Sequence, residues 1–251
     1  RLSRFSGSRP KFPPLNEGGR AISVASLSSQ RVAQRHLASS YPVILNLDIN
    51  RFYGSIYTHS IPWSVMGKEE AKKRFANGQL RRHWSNVLDQ LVRNGNQQQT
   101  IGIPIGPDTS RILSELLLAR IDRELTATRS GLMSSQIFHN IDDYQFGVLS
   151  QSDAEDAQSV FVRTIARYEL RLNDFKTSID QGIEFSPSHF QREFDILRQQ
   201  SGRNLIEHFF HILYDQVGKN PNSNVVGYTL KRFAPMLVSN PEQSLLREYL
   251  Q

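Results

Sequence analysis

The chain contains no cysteine. Disulfides, thiolate nucleophiles and cysteine-based zinc sites are therefore excluded, and the composition suits a reducing, cytoplasmic setting. No apolar run approaches the roughly 20 residues needed to cross a bilayer, so no membrane partner is expected. No signal peptide is visible. The chain begins at Arg1 rather than Met, and is expected to be a fragment or ordered subset of a longer protein. No internal repeat stands out, although paired helices toward the C-terminus hint at a helical array. Acid is scarcer than base: 24 Asp and Glu against 30 Lys and Arg, a net charge of +6. That balance suits a polyanionic partner such as nucleic acid without requiring one. A length of 251 residues fits one large domain or two small ones.

Punctuation and periodicity then divide the chain. Residues 1–19 are rich in Arg, Ser, Gly and Pro and read as an irregular basic segment. Ala21 to Val24 is a short strand candidate, and Ser29 to Ala38 a helix. Val43 to Leu47 is too short and too uniformly apolar for an amphipathic helix and reads as a buried strand. Residues 64–93 suggest two helices broken near Asn77-Gly78. The stretch Ile101-Gly102-Ile103-Pro104-Ile105-Gly106-Pro107 cannot be helical. Asp108 and Thr109 are good N-cap residues, before a helix with Leu113, Leu117, Ile121 and Leu125 at every fourth position. Gln136 to Leu149 reads as a hairpin turning at Asp142-Asp143. Ser152 to Glu155 reads as a capping box, opening a helix whose Ala154, Ala157, Phe161, Ile165 and Tyr168 share a face. Leu170 to Asn173 and Thr177 to Ile179 suggest two short strands around Lys176. After Pro187 only helices follow, with Phe190, Phe194, Leu197, Ile206, Phe209, Phe210, Leu213 and Val217 as their apolar positions, and further starts near Val225 and Pro241. The expected class is α+β: a sheet domain over residues 1–185 and an all-helical domain over 186–251.

Three carboxylates stand out. Asp48 ends the buried strand, and Asp142 and Asp143 sit at the tip of a hydrophobic hairpin. In isolation each reads as an ordinary cap or turn residue. Both sites, however, end apolar strands of the kind found in a sheet centre, where uncompensated charge is costly. Adjacent carboxylates repel unless a cation lies between them, and three can hold two divalent metals. Tyr53, five residues after Asp48, is a candidate to stand beneath a nucleotide sugar, where a bulky ring excludes a 2′-hydroxyl. Its bland alternative is a core tyrosine. Gly102 and Gly106 permit close backbone approach to a ligand, and Ser110 lies at a helix start with free N–H groups. Lys176 is a candidate to neutralise a leaving group. His208 and His211 share a helix face but are too few for a zinc site.

Taken in order, Asn46 to Ile56, Gly102 to Ser110, Asn140 to Tyr144 and Leu172 to Thr177 resemble the successive palm segments of reverse transcriptases, and Arg20 to Val24 resembles a fingers strand. The runs Ser55 to Trp63 and Gln99 to Arg111 are similar to those of bacterial abortive-infection and defence-associated reverse transcriptases, in which a helical domain follows the palm. The resemblance implies a right-hand polymerase fold: fingers and an antiparallel palm sheet, then a thumb-like or helical-repeat domain, incomplete here. It implies an RNA-directed DNA polymerase of antiphage defence in the bacterial cytoplasm. Asp48, Asp142 and Asp143 would bind two Mg²⁺ ions, with Mn²⁺ as a substitute. Arg20, Tyr53, Gly106 and Ser110 would contact substrate, and Lys176 would assist catalysis. The implied partners are dNTPs and RNA or DNA as template, primer or associated RNA, with the helical domain a candidate for self-association. Template-independent or protein-primed synthesis, and a non-catalytic nucleic-acid-binding or oligomerising protein of the same fold, remain alternatives. His139-Asn140 departs from the family's pattern before the hairpin aspartates, with no expected consequence for metal binding.

Overall fold

The computed structural model describes residues 6–12, 22–127, 136–182, 194, 197, 200–219 and 225–249. Arg20, Ala21, Pro187 and Phe190 lie outside them. The chain divides into two compact units, Arg1–Phe185 and Ser186–Gln251.

The first unit is α+β. Its four-stranded antiparallel sheet has the order β2-β3-β1-β4, with β1 Val43–Asp48, β2 Ile137–Asn140, β3 Asp143–Val148 and β4 Ser178–Gln181. β1 is central, as the apolar run Val43–Leu45 demands: Ile44 and Leu45 are both fully buried although they point to opposite faces. Val43, Leu45 and Leu47 join the main core with Tyr144, Phe146 and Phe161, whereas Ile44 packs with Leu37 and Phe138. Each fully buried Leu or Ile contributes about 1.5–3 kcal/mol.

Two helices cover the sheet. α1 (Leu27–Ser40) is capped by Ser26, whose hydroxyl accepts the Ser29 N–H. Its C-terminal end lies so close to β3 that a Cβ at Gly147 would come within 2.3 Å of the Tyr41 ring. No side chain fits there. α7 (Gln151–Ala166) presents the expected face, with Ala154, Ala157, Phe161 and Ile165 buried, as is Tyr168 just beyond its end. Its cap is Ser150, which accepts the Asp153 N–H at 3.1 Å, so the capping residue lies two positions before Ser152.

Between β1 and the hairpin run α2 (Phe52–Ser55), α3 (Ser60–Met66), α4 (Lys68–Ala76), α5 (Trp84–Gly95) and α6 (Asp108–Ala127). The span 64–93 thus holds an extra break at Gly67, whose φ of 91° is left-handed, besides the one after Ala76. Two expected strands shrink to single bridges, Lys11 with Ser23 and Ile49 with Leu172. Lys176 closes a single 3₁₀ turn, Asp174–Lys176, before β4.

In the second unit, α8 (Gly202–Lys219), α9 (Val225–Val238) and α10 (Gln243–Tyr249) enclose Phe194, Leu197, Ile206, Phe209, Phe210 and Phe233. Val217 is partly exposed. No described helix is long and apolar enough to cross a membrane.

Candidate active site

Register places the carboxylates. Asp48 and Asp143 lie directly opposite across β1 and β3, so they share a face of the sheet. Asn46 and Gln145 pair one step inward on that face, hydrogen-bonded at 3.0 Å, and Asn46 also donates to Asp180 at 2.6 Å. A polar strip therefore leads to the two acids. Asp142 precedes Asp143 in the hairpin turn, and its carbonyl accepts the Ile49 N–H at 3.1 Å. The turn residues are Ile141 and Asp142, one position earlier than the sequence suggests; Asp143 already begins β3.

Asp48 is only 4% exposed, and both carboxylate oxygens are used. Oδ1 accepts the Asn173 side-chain amide and Oδ2 accepts Lys176 Nζ, each at 2.9 Å. The Asn173 backbone N–H also bonds the Asp48 carbonyl at 2.8 Å. The ion pair with Asp48 raises the Lys176 ammonium above its ordinary pKa, further supported by the charges of Asp143 and Asp142. The hairpin acids are also raised, above the ordinary carboxylate range. Burial raises Asp142, with Asp48 adding repulsion. Asp143 is pushed up to about 7, first by desolvation, then by repulsion from Asp142 and by the hydrogen bond and charge of Asp48. Part of its side chain nevertheless meets solvent.

The three aspartates offer a cation oxygen donors alone, and positive charge would relieve their mutual repulsion. Lys176 supplies one such charge. Among the described residues no three His, Asp or Glu side chains are grouped so that they could hold a metal ion as they stand.

The crowding has a measurable cost. Between the ordinary carboxylate range and about pH 7, folded Asp143 holds a proton that the unfolded chain has released. Stability should therefore fall as pH rises through that window. Asp143→Asn should flatten the fall and raise stability at about pH 8 by about 1–2 kcal/mol, a figure discounted for solvent screening, with no gain at about pH 4. Urea midpoints at both pH values check this; an unchanged midpoint at high pH would contradict the crowding.

A buried polar network holds the hairpin from behind. Ile141 adopts a left-handed φ of 57°, a strained conformation for a β-branched residue. Its N–H donates to Ser8 Oγ at 2.8 Å, and its carbonyl accepts from His139 Nδ1 at 3.2 Å. Ser8 in turn donates to the buried Glu115 carboxylate, as does Ser6. His139 Nε2 meets Asp122 Oδ2 at 3.0 Å, and Tyr144 donates to Asp122 Oδ1 at 2.8 Å. Both partners of the His139 ring can only accept, so both nitrogens carry protons and the ring is an imidazolium. Burial opposes that charge, but the Asp122 carboxylate, helped by Glu115, outweighs it and raises the pKa. His139 thus anchors the aspartate turn. Glu115, Leu118, Asp122 and Leu125 share one stripe of α6, and acids in register with leucines were the sequence signal for this network.

The substrate-side candidates take different positions. Tyr53 is half-buried, packs edge-on against Phe52, and its hydroxyl accepts from Ser114 Oγ at 3.4 Å. The glycine-proline segment lies against this element: Ile103 N–H bonds Tyr53 O at 2.9 Å and Gly102 N–H bonds Ile56 O at 2.8 Å. Gly102 has φ 89°, and a Cβ there would press on Gly54 O at 3.3 Å. Gly106, with φ 115°, is exposed, while Ser110 is buried at the start of α6. Arg20 lies outside the described residues. Sequence reasoning passed over Arg51 and Arg171, which with Asn50, Gly54, Tyr57 and one acid, Glu169, line a cavity of about 590 Å³ beginning two residues beyond Asp48. In the helical unit, His208 hydrogen-bonds Gln200 at 2.9 Å.

No family model matches this chain, and no curated protein matches it.

Proposed function

We propose that this protein is a nucleotidyltransferase of the right-hand polymerase type, adding deoxynucleotides to a 3′-hydroxyl. The observation that carries the reading is the juxtaposition of Asp48 with Asp143 across β1 and β3, with Asp142 adjacent and Lys176 on Asp48. Asp48, Asp142 and Asp143 would hold Mg²⁺. Bound there, two ions would activate the 3′-hydroxyl and neutralise the departing pyrophosphate.

The chain's own groups divide the remaining work. Lys176 is 56% exposed, so its ammonium can turn from Asp48 toward an anionic leaving group. Asn173 keeps the Asp48 carboxylate oriented. Arg51 and Arg171 offer guanidinium groups to phosphates in the adjoining cavity. The imidazolium of His139, fixed by Asp122, keeps the strained Ile141 turn in place and so holds Asp142 toward Asp48. The RNA template, a role in bacterial antiphage defence and a thumb-like helical domain rest on the resemblance of the four sequence segments.

Tyr53 tests the choice of sugar. The wild type should incorporate dNTPs in preference to rNTPs. Tyr53→Ala should raise relative rNTP use by about 10- to 200-fold, the range one pocket contact commands. Incorporation of each triphosphate by the purified protein checks it. Equal dNTP and rNTP use by the wild type would remove Tyr53 from this role.

A further inference from the structure

A second cleft, of about 640 Å³, opens among α3, α4 and α5. Tyr57, His59 and Trp63 form one wall, and Lys72, Arg81 and Arg93 supply its cations. The rings meet edge to face, Tyr57 with His59 at 4.8 Å and Tyr57 with Trp63 at 5.5 Å. Phe75 stands at the rim, 74% exposed, which is costly for a phenyl ring left in water.

The charge of the cleft is one-sided. Among the described residues no acid lines it. Asp89 lies fully buried behind the wall, accepting His59 Nδ1 at 2.6 Å and Arg93 Nε at 3.2 Å. Burial pushes that carboxyl up, but the hydrogen bond from His59 and the charges of His59 and Arg93 bring it below its ordinary pKa. Asp89 therefore stays ionised and holds His59 of the wall and the Arg93 cation in place. Lys72 and Arg81 make no ion pair among the described residues.

Fixed rings beside unbalanced cations, in a volume typical of small-ligand sites, select a flat aromatic group carrying negative charge. An apolar peptide would leave Lys72 and Arg81 unanswered. We propose that this cleft binds a nucleotide unit, its base against Tyr57, His59 and Phe75 and its phosphate against Lys72 and Arg81. Base stacking on such rings contributes about 1–3 kcal/mol per base. The same chemistry is offered by a free nucleotide and by one residue of a single strand. Tyr57 also lines the cavity that holds Arg51 and Arg171, so the two clefts share a wall. The proposal stands on the cleft alone and does not require that the aspartates catalyse polymerisation.

The chain has two tryptophans. Trp84→Phe leaves Trp63, in the cleft wall, as the only reporter. In EDTA, which removes metal-dependent binding at the aspartates, oligo-dT or dATP is titrated against Trp63 fluorescence. Saturable quenching is expected. Quenching by both ligands identifies a free-nucleotide site, and quenching by oligo-dT alone identifies a strand site, with affinity falling steeply as salt rises. Adding Lys72→Glu and Arg81→Glu, both at exposed positions, should weaken binding by about tenfold or more, and Phe75→Ala should weaken it separately. Asp48→Asn should leave this binding unchanged, which separates failure of the cleft from failure of the polymerase reading. Absence of quenching by either ligand, or equal affinity in the charge-reversed and parent proteins, would overturn the proposal.

Discussion

Asp48→Asn should fold as well as the wild type and incorporate deoxynucleotides about a thousandfold more slowly or worse. The substitution keeps the shape of a side chain that is almost completely buried. The asparagine oxygen can still accept from the Asn173 amide, but the charge that draws Lys176 is gone. That pair joins a buried carboxylate to a half-exposed lysine, and its loss costs at most about 1 kcal/mol. The loss is offset, because removing Asp48 also removes one source of repulsion on Asp142 and Asp143. The activity has no such offset. A site that stabilises developing charge through metal ions loses several kcal/mol of transition-state stabilisation with a ligand, and about 4 kcal/mol is a factor of about a thousand. Thermal unfolding beside dNTP incorporation separates the two effects. A variant that keeps most of its activity would exclude Asp48 from the reaction.

Asp122→Ala should damage the fold by about 3–5 kcal/mol, the cost of stripping one partner from a buried charged pair. Two groups are orphaned at once. The His139 imidazolium loses the anion that keeps it protonated inside the protein, and the Tyr144 hydroxyl loses its acceptor. The Tyr144 ring stacks on His139 at 4.5 Å, so the defect spreads along β2 and β3. Against a typical total of about 5–15 kcal/mol, the loss should move the urea midpoint far. Asp122→Asn should cost less, because its oxygen can still accept one of the two bonds. Since His139 also holds the carbonyl of Ile141, incorporation by the folded fraction should fall too. A midpoint within about 0.5 kcal/mol of wild type would show that the network carries no weight.

The central strand, the aspartate hairpin, α6 and α7 were legible because each has one strong period and clear ends. Val43 to Leu47 could only be buried on both faces, and α7 buries Ala154, Ala157, Phe161 and Ile165 as its spacing requires. The break at Gly67 was not legible, because Met66-Gly67-Lys68 lies in otherwise helical sequence and only the fold imposes its left-handed φ. Leu170 to Asn173 has strand composition, yet it makes only the single bridge of Leu172 with Ile49, flanked by backbone bonds from Asn50 to Arg171 and from Asn173 to Asp48.

The candidate site was legible as a set of residue types and not as a geometry. Nothing local to Asp48 says that Asp143 will lie across from it; that follows from the register of strands about a hundred residues apart. Nor does a lone lysine announce that it will reach Asp48. The supporting acids were hidden for the opposite reason. Glu115, Asp122 and Asp89 look like solvated helix charges, and their burial depends on Ser8, His139, Tyr144 and His59 arriving from elsewhere in the chain.

The most direct measurement is of the product. The purified protein is incubated with Mg²⁺ and each radiolabelled dNTP, with and without an RNA template, and the product is resolved by size, sequenced and treated with protease. A two-metal polymerase site predicts Mg²⁺-dependent DNA from the wild type, none when EDTA is added, and none from Asp142→Asn. DNA formed equally by the Asp142→Asn protein, or no incorporation by the wild type with any dNTP, template or primer, would contradict it.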